Sequence, residues 1–595
     1  MVLVRGVGYW LLSWIQYPLE LLSVRALYQE GDLRYFPLIR AFAEGQWGEF
    51  ALWESIGREP IGRSVASAVP WGAIALHGLF YKWFGLWGLP IADTLVSGLY
   101  FGLLILVLRT LHCSRRLAIV TALLLGSDGL NHGLGAFNQM LGRWTSQVMP
   151  LQLWGWTFPV PFVSDLFLLS VILFAGRLFV QVSGMRRMGN WIGLGLSIAA
   201  LIQSDFPEAV IALCALVGLL ILRLLRSPDW RSVWRGLLGF GVSATLLLLP
   251  FWIQRGWDTP ETWARWGLLP IDRWPNLAIL PGWEAYGLLL LFLGWGWGLR
   301  LHYRARQLAG QFEGYKLLQN LTFWSTWAIA AYVALPLASL ISGKTIPTDP
   351  FLDRAGRIVL FAFILLTAYT WKALQPQIQR VLASGFGLGQ GFGRGQGWVS
   401  RSLMAIACVL AIGFTAYDAQ QIANHRGHEA VDRSNAMQDG QYREEQYREE
   451  QYRSNFAALT QELEKPEYKT RTVMGTWDVQ PYVWWITFQN GRSFLPPAAF
   501  TTLDDAAIAT RLQQFCQILE LSSAQCVEQL QLPTTQPFWV PPQFNVTKLQ
   551  LDLKDERALP RLDLIVLDRS QPGQPNLDRY VKTYENSIFQ VWVLR

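Results

Sequence analysis

Charge is scarce in this chain. Only 16% of its 595 residues are Asp, Glu, Lys or Arg, against roughly 25% in a soluble domain, so most of its length does not read as a water-soluble globule. Cysteine and histidine are few, at 5 and 6, and no spacing between them resembles a zinc site. No glycine-rich phosphate loop follows a strand, which removes support for dinucleotide binding. The formal net charge is +7, yet no arginine stripe with interleaved aromatics falls on a soluble segment, which argues against a nucleic-acid partner. The first apolar run lacks a small-residue cleavage site, so it does not read as a cleaved signal peptide.

What the chain has instead is apolar length. Apolar runs recur from the start to about Gln420, and ordinary soluble composition follows to Arg595. The runs predict spans at 8–24, 90–110, 116–131, 160–181, 189–204, 208–226, 233–254, 279–300, 319–342, 355–374 and 400–417, on the rule that about 20 apolar residues cross the hydrocarbon. The expected architecture is therefore mainly α, a polytopic helical membrane protein of about eleven spans with a small C-terminal α/β domain.

Segment 66–86 holds Pro70, His77 and Lys82 among apolar residues, which suits a helix at the interface. With it counted so, alternate connections are arginine-rich: Arg109, Arg115 and Arg116; Arg177, Arg186 and Arg187; Arg223, Arg226, Arg231 and Arg235; Arg300, Arg304 and Arg306. The positive-inside rule then puts the N-terminus in the cytoplasm and both the first loop and the C-terminal domain outside a plasma (inner) membrane. The predicted units are a membrane part over 1–418, with 25–89 as its first outer loop, a polar spacer over 419–469, and a soluble domain over 470–595. The spacer repeats Gln-Tyr-Arg-Glu-Glu between Gln441 and Arg453, as a solvated helix or disordered spacer does. In the last unit, Arg471–Thr476 and Leu562–Leu567 read as strands and Asp504–Leu519 as an amphipathic helix. Tyr584-Glu585-Asn586 reads as a turn before the apolar run Phe589–Leu594. Cys516 and Cys526 form a disulfide if this domain is outside the cytoplasm, or stay as two free thiols.

Candidate chemistry gathers on the outer side. Asp32 follows the first apolar helix, where a carboxylate can act as general base on an acceptor hydroxyl; equally, it can cap a helix beginning near Leu33. Arg34 beside it can hold a phosphate. Glu59, with Arg58 and Arg63, lines an entrance or solvates the loop. Asp128, Asp205 and Glu208 stand as a second carboxylate or metal ligand, or as turn caps. Lys344, Asp349, Asp353, Arg354 and Arg357 cluster ahead of the tenth predicted span, where guanidinium matches lipid-linked phosphate; the alternative is an Asp–Arg surface network. Arg143 is a further lone cation in a long outer loop.

The first loop resembles that of GT-C-fold membrane glycosyltransferases and YfhO-like bacterial membrane proteins. The carrying residues are Gly31-Asp32, Tyr35-Phe36-Pro37, Gly45-Gln46-Trp47 and Gly57-Arg58-Glu59-Pro60. The chain end, Asp563–Leu567 and Tyr584–Asn586 before Val591–Leu594, is similar to that group's closing strands. The resemblance implies inverting transfer of a sugar from a polyprenyl-phosphate donor to an envelope glycan, lipid or protein acceptor. It gives Asp32 as base and Arg354 or Arg357 as lipid-phosphate contacts; Tyr35 belongs to the same element. GT-C enzymes often pair two acidic residues in this loop, whereas Gly31 and Leu33 flank Asp32 here. The lipid-linked sugar is a substrate, and no cofactor motif is present. A transporter or flippase, or a non-catalytic membrane assembly protein, is the alternative; acidic groups gathered at the outer face favour the enzyme.

Overall fold

The structure, a computed structural model, describes residues 39–40, 42–45, 54–56, 59–62, 71–110, 115, 118–119, 122, 162–179, 187–226, 230–255, 269–270, 283–308, 312–342, 344–345, 358, 362, 366, 370, 409, 454–455, 458–459, 461–463, 465–468, 471, 473–476, 505–531, 562–569, 575 and 577–595. They are mostly helical, with one small sheet near the chain end. The expected spans 8–24 and 400–417 lie outside the described residues except for Val409, as does the Gln-Tyr-Arg-Glu-Glu repeat.

After a hairpin of β1 (Glu54–Ile56) and β2 (Glu59–Gly62) come α1 (Trp71–Phe84), α2 (Gly88–Thr110), α3 (Phe162–Phe179), α4 (Arg187–Ser204), α5 (Phe206–Arg226), α6 (Trp230–Arg255), β3 (Leu269–Pro270), α7 (Trp283–Leu308), α8 (Phe312–Ser342) and β4 (Lys344–Thr345). Helices α2 to α8 coincide with seven of the predicted apolar segments. Two described stretches, Gly88–Thr110 and Phe206–Leu225, are long and apolar enough to cross a membrane, and Val233–Leu249 is a shorter apolar one. Eleven such helices are not found among the described residues. Helices outrun apolar runs here: α7 continues through Arg300, Arg304 and Arg306, and α8 begins with Glu313 and Lys316.

Close approaches at small residues set the packing. A Cβ on Gly193 would meet the Phe174 ring, one on Gly236 the Trp191 indole, and one on Gly195 the Ser243 hydroxyl and Phe240 carbonyl. These contacts make α4 antiparallel to α3 and parallel to α6, with backbones drawn together as in membrane helix pairs. Large apolar side chains also face outward: Leu225 is 78% exposed, Leu238 70%, Leu246 69% and Leu290 68%. Large apolar side chains on the open faces of helices, beside apolar buried faces, are uncommon on a soluble surface.

Near the chain end, β5 (Val473–Gly475), β6 (Leu564–Asp568), β7 (Tyr580–Glu585) and β8 (Phe589–Leu594) form a sheet in the order β5-β6-β8-β7. β5 pairs parallel to β6, and the other pairs are antiparallel. Every residue of β6 is buried, so its continuous run Leu-Ile-Val-Leu is that of a strand covered on both faces. β7 is an edge strand with a register shift between Lys582 and Tyr584 and an exposed Lys582, both of which discourage edge-to-edge pairing. Hydrogen bonds from Lys582 and then Gln590 hold the Glu585 carboxyl below its ordinary value.

The expected turn at Tyr584-Glu585-Asn586 is displaced. Tyr584 and Glu585 close β7, and the Asn586 side chain makes the turn by accepting from the Ile588 and Phe589 backbone at 3.0 and 2.7 Å, the local bonding that suits Asn to turns. Residues ahead of 470 are tied to this sheet. The buried Tyr468 hydroxyl donates to the Glu462 carboxylate at 3.0 Å and lies 3.2 Å from the Thr583 hydroxyl of β7, and Asn586 donates to the Asn455 carbonyl at 2.8 Å. Burial, first, pushes the Tyr468 phenol up.

Helices α9 (Asp505–Ile518) and α10 (Ser523–Gln531) meet at a corner where Glu520 adopts φ 51°. Cys516 and Cys526, ten positions apart and both fully buried, form a disulfide across it. This resolves the choice between a bond and free thiols. A loop this short is worth about 2–3 kcal/mol in the chain-entropy account. Reduction, or Cys516→Ser with Cys526→Ser, is therefore expected to lower the unfolding midpoint of this region, read by hydrogen exchange in 505–531, and to leave exchange in α3–α5 unchanged.

Candidate functional site

The helices α3 to α6 have two chemically distinct ends. Arg223 near the end of α5 donates to the Leu178 carbonyl at the end of α3, at 2.7 Å, and its guanidinium lies 5.8 Å from the Phe179 ring. The two helices therefore run parallel, and a cation meets the negative end of the α3 dipole. Arg177, Arg223, Arg231 and Arg235 all fall at that end. The opposite end holds the starts of α3 and α5, the end of α4, and the start of α1, where a Cβ on Gly72 would lie 2.3 Å from Ser204 Oγ and 3.5 Å from the Phe167 ring.

That second end is acidic and buried. Asp165 in the first turn of α3 is 5% exposed, Asp205 between α4 and α5 is 5% exposed, and Glu208 in the first turn of α5 is 0% exposed. Helix starts favour carboxylates. Asp205 is the N-cap of α5: its Oδ1 accepts from the Glu208 backbone N–H at 3.2 Å, and its carbonyl accepts from Ala209 at 3.1 Å. Glu208 stands at the third helical position, as in an Asp-x-x-Glu capping box, and Pro207 occupies the first turn, where its missing N–H is tolerated. Capping accounts for Asp205; it leaves unexplained why the Glu208 side chain is carried into full burial. No group of three or more His, Cys, Asp or Glu among the described residues is arranged to hold a metal.

A second buried polar couple joins α1 to α2. His77, fully buried, has Nδ1 2.9 Å from the Ala73 carbonyl and Nε2 3.0 Å from Asp93 Oδ1. A carbonyl only accepts, so Nδ1 carries a proton. The Nε2–Asp93 contact needs one more, on the ring or on the carboxyl. The couple is thus an imidazolium–carboxylate pair or a neutral pair sharing that proton. Gly85 at φ 59° and Gly88, where a Cβ would lie 2.2 Å from the Phe80 carbonyl, fold the chain tightly enough to bring the two helices together.

Of the residues proposed from sequence, Asp205 and Glu208 share the acidic end. Glu59 lies in β2, paired with Ile56 of β1. Lys344 lies in β4, paired with Pro270; that ladder joins the α6–α7 connection to the chain leaving α8. Asp32, Arg34, Tyr35, Asp128, Arg143, Arg354 and Arg357 lie outside the described residues. Asp165 and the His77–Asp93 couple were not singled out. A lone acid inside an apolar run was the available signal for Asp165, and mirrored polar positions about Gly85–Gly88 were the signal for the couple.

No protein-family model matches the chain, and no curated protein matches it in sequence.

His77→Leu strips a mostly buried carboxyl of its partner and is expected to destabilise by about 2–3 kcal/mol, while adding Asp93→Leu recovers most of the loss; denaturant unfolding in detergent measures the cycle. Asp205→Ala, which removes the α5 cap, is expected to cost at least about 1 kcal/mol in the same assay.

Proposed function

We propose that the chain is a membrane glycosyltransferase of the GT-C type. It moves a sugar, with inversion, from a polyprenyl-phosphate carrier to an envelope glycan, lipid or protein at the outer face of the plasma membrane. In this reading about eleven spans carry the chain across, with the N-terminus in the cytoplasm and the C-terminal α/β domain outside. The observation that carries it is the charge segregation of α3 to α6. At the described ends of α3 to α6, Arg177, Arg187, Arg223, Arg226, Arg231 and Arg235 at one end against Arg255 at the other follow the positive-inside rule for a cytoplasmic and an outer end. The Cys516–Cys526 disulfide supports an oxidising, extracytoplasmic location for its domain.

The chemistry rests on the first loop. Asp32 takes the proton of the acceptor hydroxyl as its oxygen attacks the anomeric carbon, and polyprenyl phosphate leaves. Arg354 and Arg357, with Lys344 and Arg34, meet the phosphate; Tyr35, Glu59 and Arg143 border the sugar. One of Asp128, Asp205 and Glu208 supplies the second carboxylate that the first loop lacks at Gly31 and Leu33. A transporter is the second reading, favoured by the buried His77–Asp93 couple, since ionisable pairs among apolar helices often mark transport paths.

Purified protein given radiolabelled polyprenyl-phosphate sugars and a membrane-extract acceptor is expected to release polyprenyl phosphate in an acceptor-dependent way. Asp32→Asn is expected to lower that release by about 100-fold or more, the scale of a lost general base. Equal release from both proteins removes Asp32 from the mechanism. Substrate uptake by reconstituted vesicles with no release from either protein selects the transporter.

A further inference from the structure

Helix α8 carries a polar feature that none of the chemistry above uses. Asn320, Trp324, Trp327, Ala331 and Ala334 recur at helical spacing and share one face, and all are buried: 0%, 3%, 0%, 5% and 0% exposed. The other sides of the helix are accounted for. Thr326 meets α5, where a Cβ on Gly218 would lie 2.8 Å from its methyl group, and Ser325 faces α7 at Gly296. Thr322 and Thr326 return their hydroxyls to the helix's own carbonyls at 3.0 and 2.9 Å. Trp324 and Trp327 do not settle in this way. Both indole Nε1 atoms are fully buried without a hydrogen-bond partner in the protein, and both rings are held in place against Phe323.

Indole N–H only donates, and a buried donor is costly to leave unmatched. Alanine or phenylalanine at either position would avoid that cost. The stripe also bears no ionisable side chain, so a buried anion would lack a compensating cation there. What fits is an uncharged oxygen. We infer that this face of α8 is an internal hydrogen-bonding wall for a neutral, oxygen-bearing guest. Two sources share that chemistry, ordered water within the bundle and the hydroxyls of a lipid-carried sugar. The second source rests on the proposed transferase reading, and the first stands without it.

The test uses the full chain in lipid nanodiscs with indole-15N tryptophan. Trp324→Phe and Trp327→Phe assign the two resonances. If either variant fails to fold, 3-benzothienylalanine at that position keeps the ring shape and removes only the N–H. Hydration is read as magnetisation transfer from water to both indole protons, with each substitution deleting one signal. A sugar site is read as saturable shifts of both resonances on adding polyprenyl-phosphoryl glucose, and none on adding polyprenyl phosphate. Either result supports the wall, and water contact without sugar shifts confines it to solvent whatever the enzyme does. Absence of both water transfer and sugar shifts overturns it.

Discussion

The constraint behind this molecule is that a polar group among apolar helices must find a partner away from bulk water. An unmatched buried polar group costs about 1–3 kcal/mol, and a charge costs more. The helices satisfy the backbone themselves. Their few polar side chains are left to bind neighbouring elements at particular points. His77 ties α1 to α2 through Asp93, Arg223 ties α5 to α3 through the Leu178 carbonyl, and Gln203 ties α4 to α6 through the Leu247 carbonyl at 2.5 Å. Each contact fixes a register that apolar packing alone would leave free to slide.

The same constraint separates the two ends. Arginine has a long stem that can lie along apolar surface while its head reaches outward, so it tolerates the rim of one end. Asp165, Asp205 and Glu208 have no such reach and are held at helix starts, where the peptide dipoles favour them. The acidic end is therefore assembled by backbone direction. α3 and α5 start there, and α4 finishes there with a single residue before α5 begins. That turn is short because Asp205 serves as both the end of one helix and the cap of the next.

Much of this was legible in the sequence, for identifiable reasons. Long apolar runs marked α2 through α8, because a helix that faces apolar surroundings on most sides shows the same composition all round. Their ends were less legible: α7 and α8 pass through charged residues without breaking, since Arg, Lys and Glu are good helix formers. Within α1 the sequence marks His77 only as a polar residue in an apolar stretch. His77 is polar alone, but it is a core residue once Asp93 faces it, and that pairing crosses a helical hairpin that local periodicity does not encode. At the chain end the apolar run Phe589–Leu594 coincides with β8, while the turn before it lies two residues later than expected because Tyr584 and Glu585 have a strand partner only in three dimensions. Asp205 and Glu208 were visible as acids in a tight turn; the difference between a cap and a carboxylate carried into the interior was not.

The strand order of the small sheet has a consequence in time. β6, β7 and β8 follow one another along the chain, yet β8 lies between the other two. Among the described residues, until the segment Phe589–Leu594 is in place β7 has no strand beside it, and β6 has only the three residues of β5. The sheet cannot grow outward strand by strand as the polypeptide emerges. It closes by insertion, with the latest-made strand entering the middle, so nearly all of its ladder forms in one late event after the helices upstream have been synthesised.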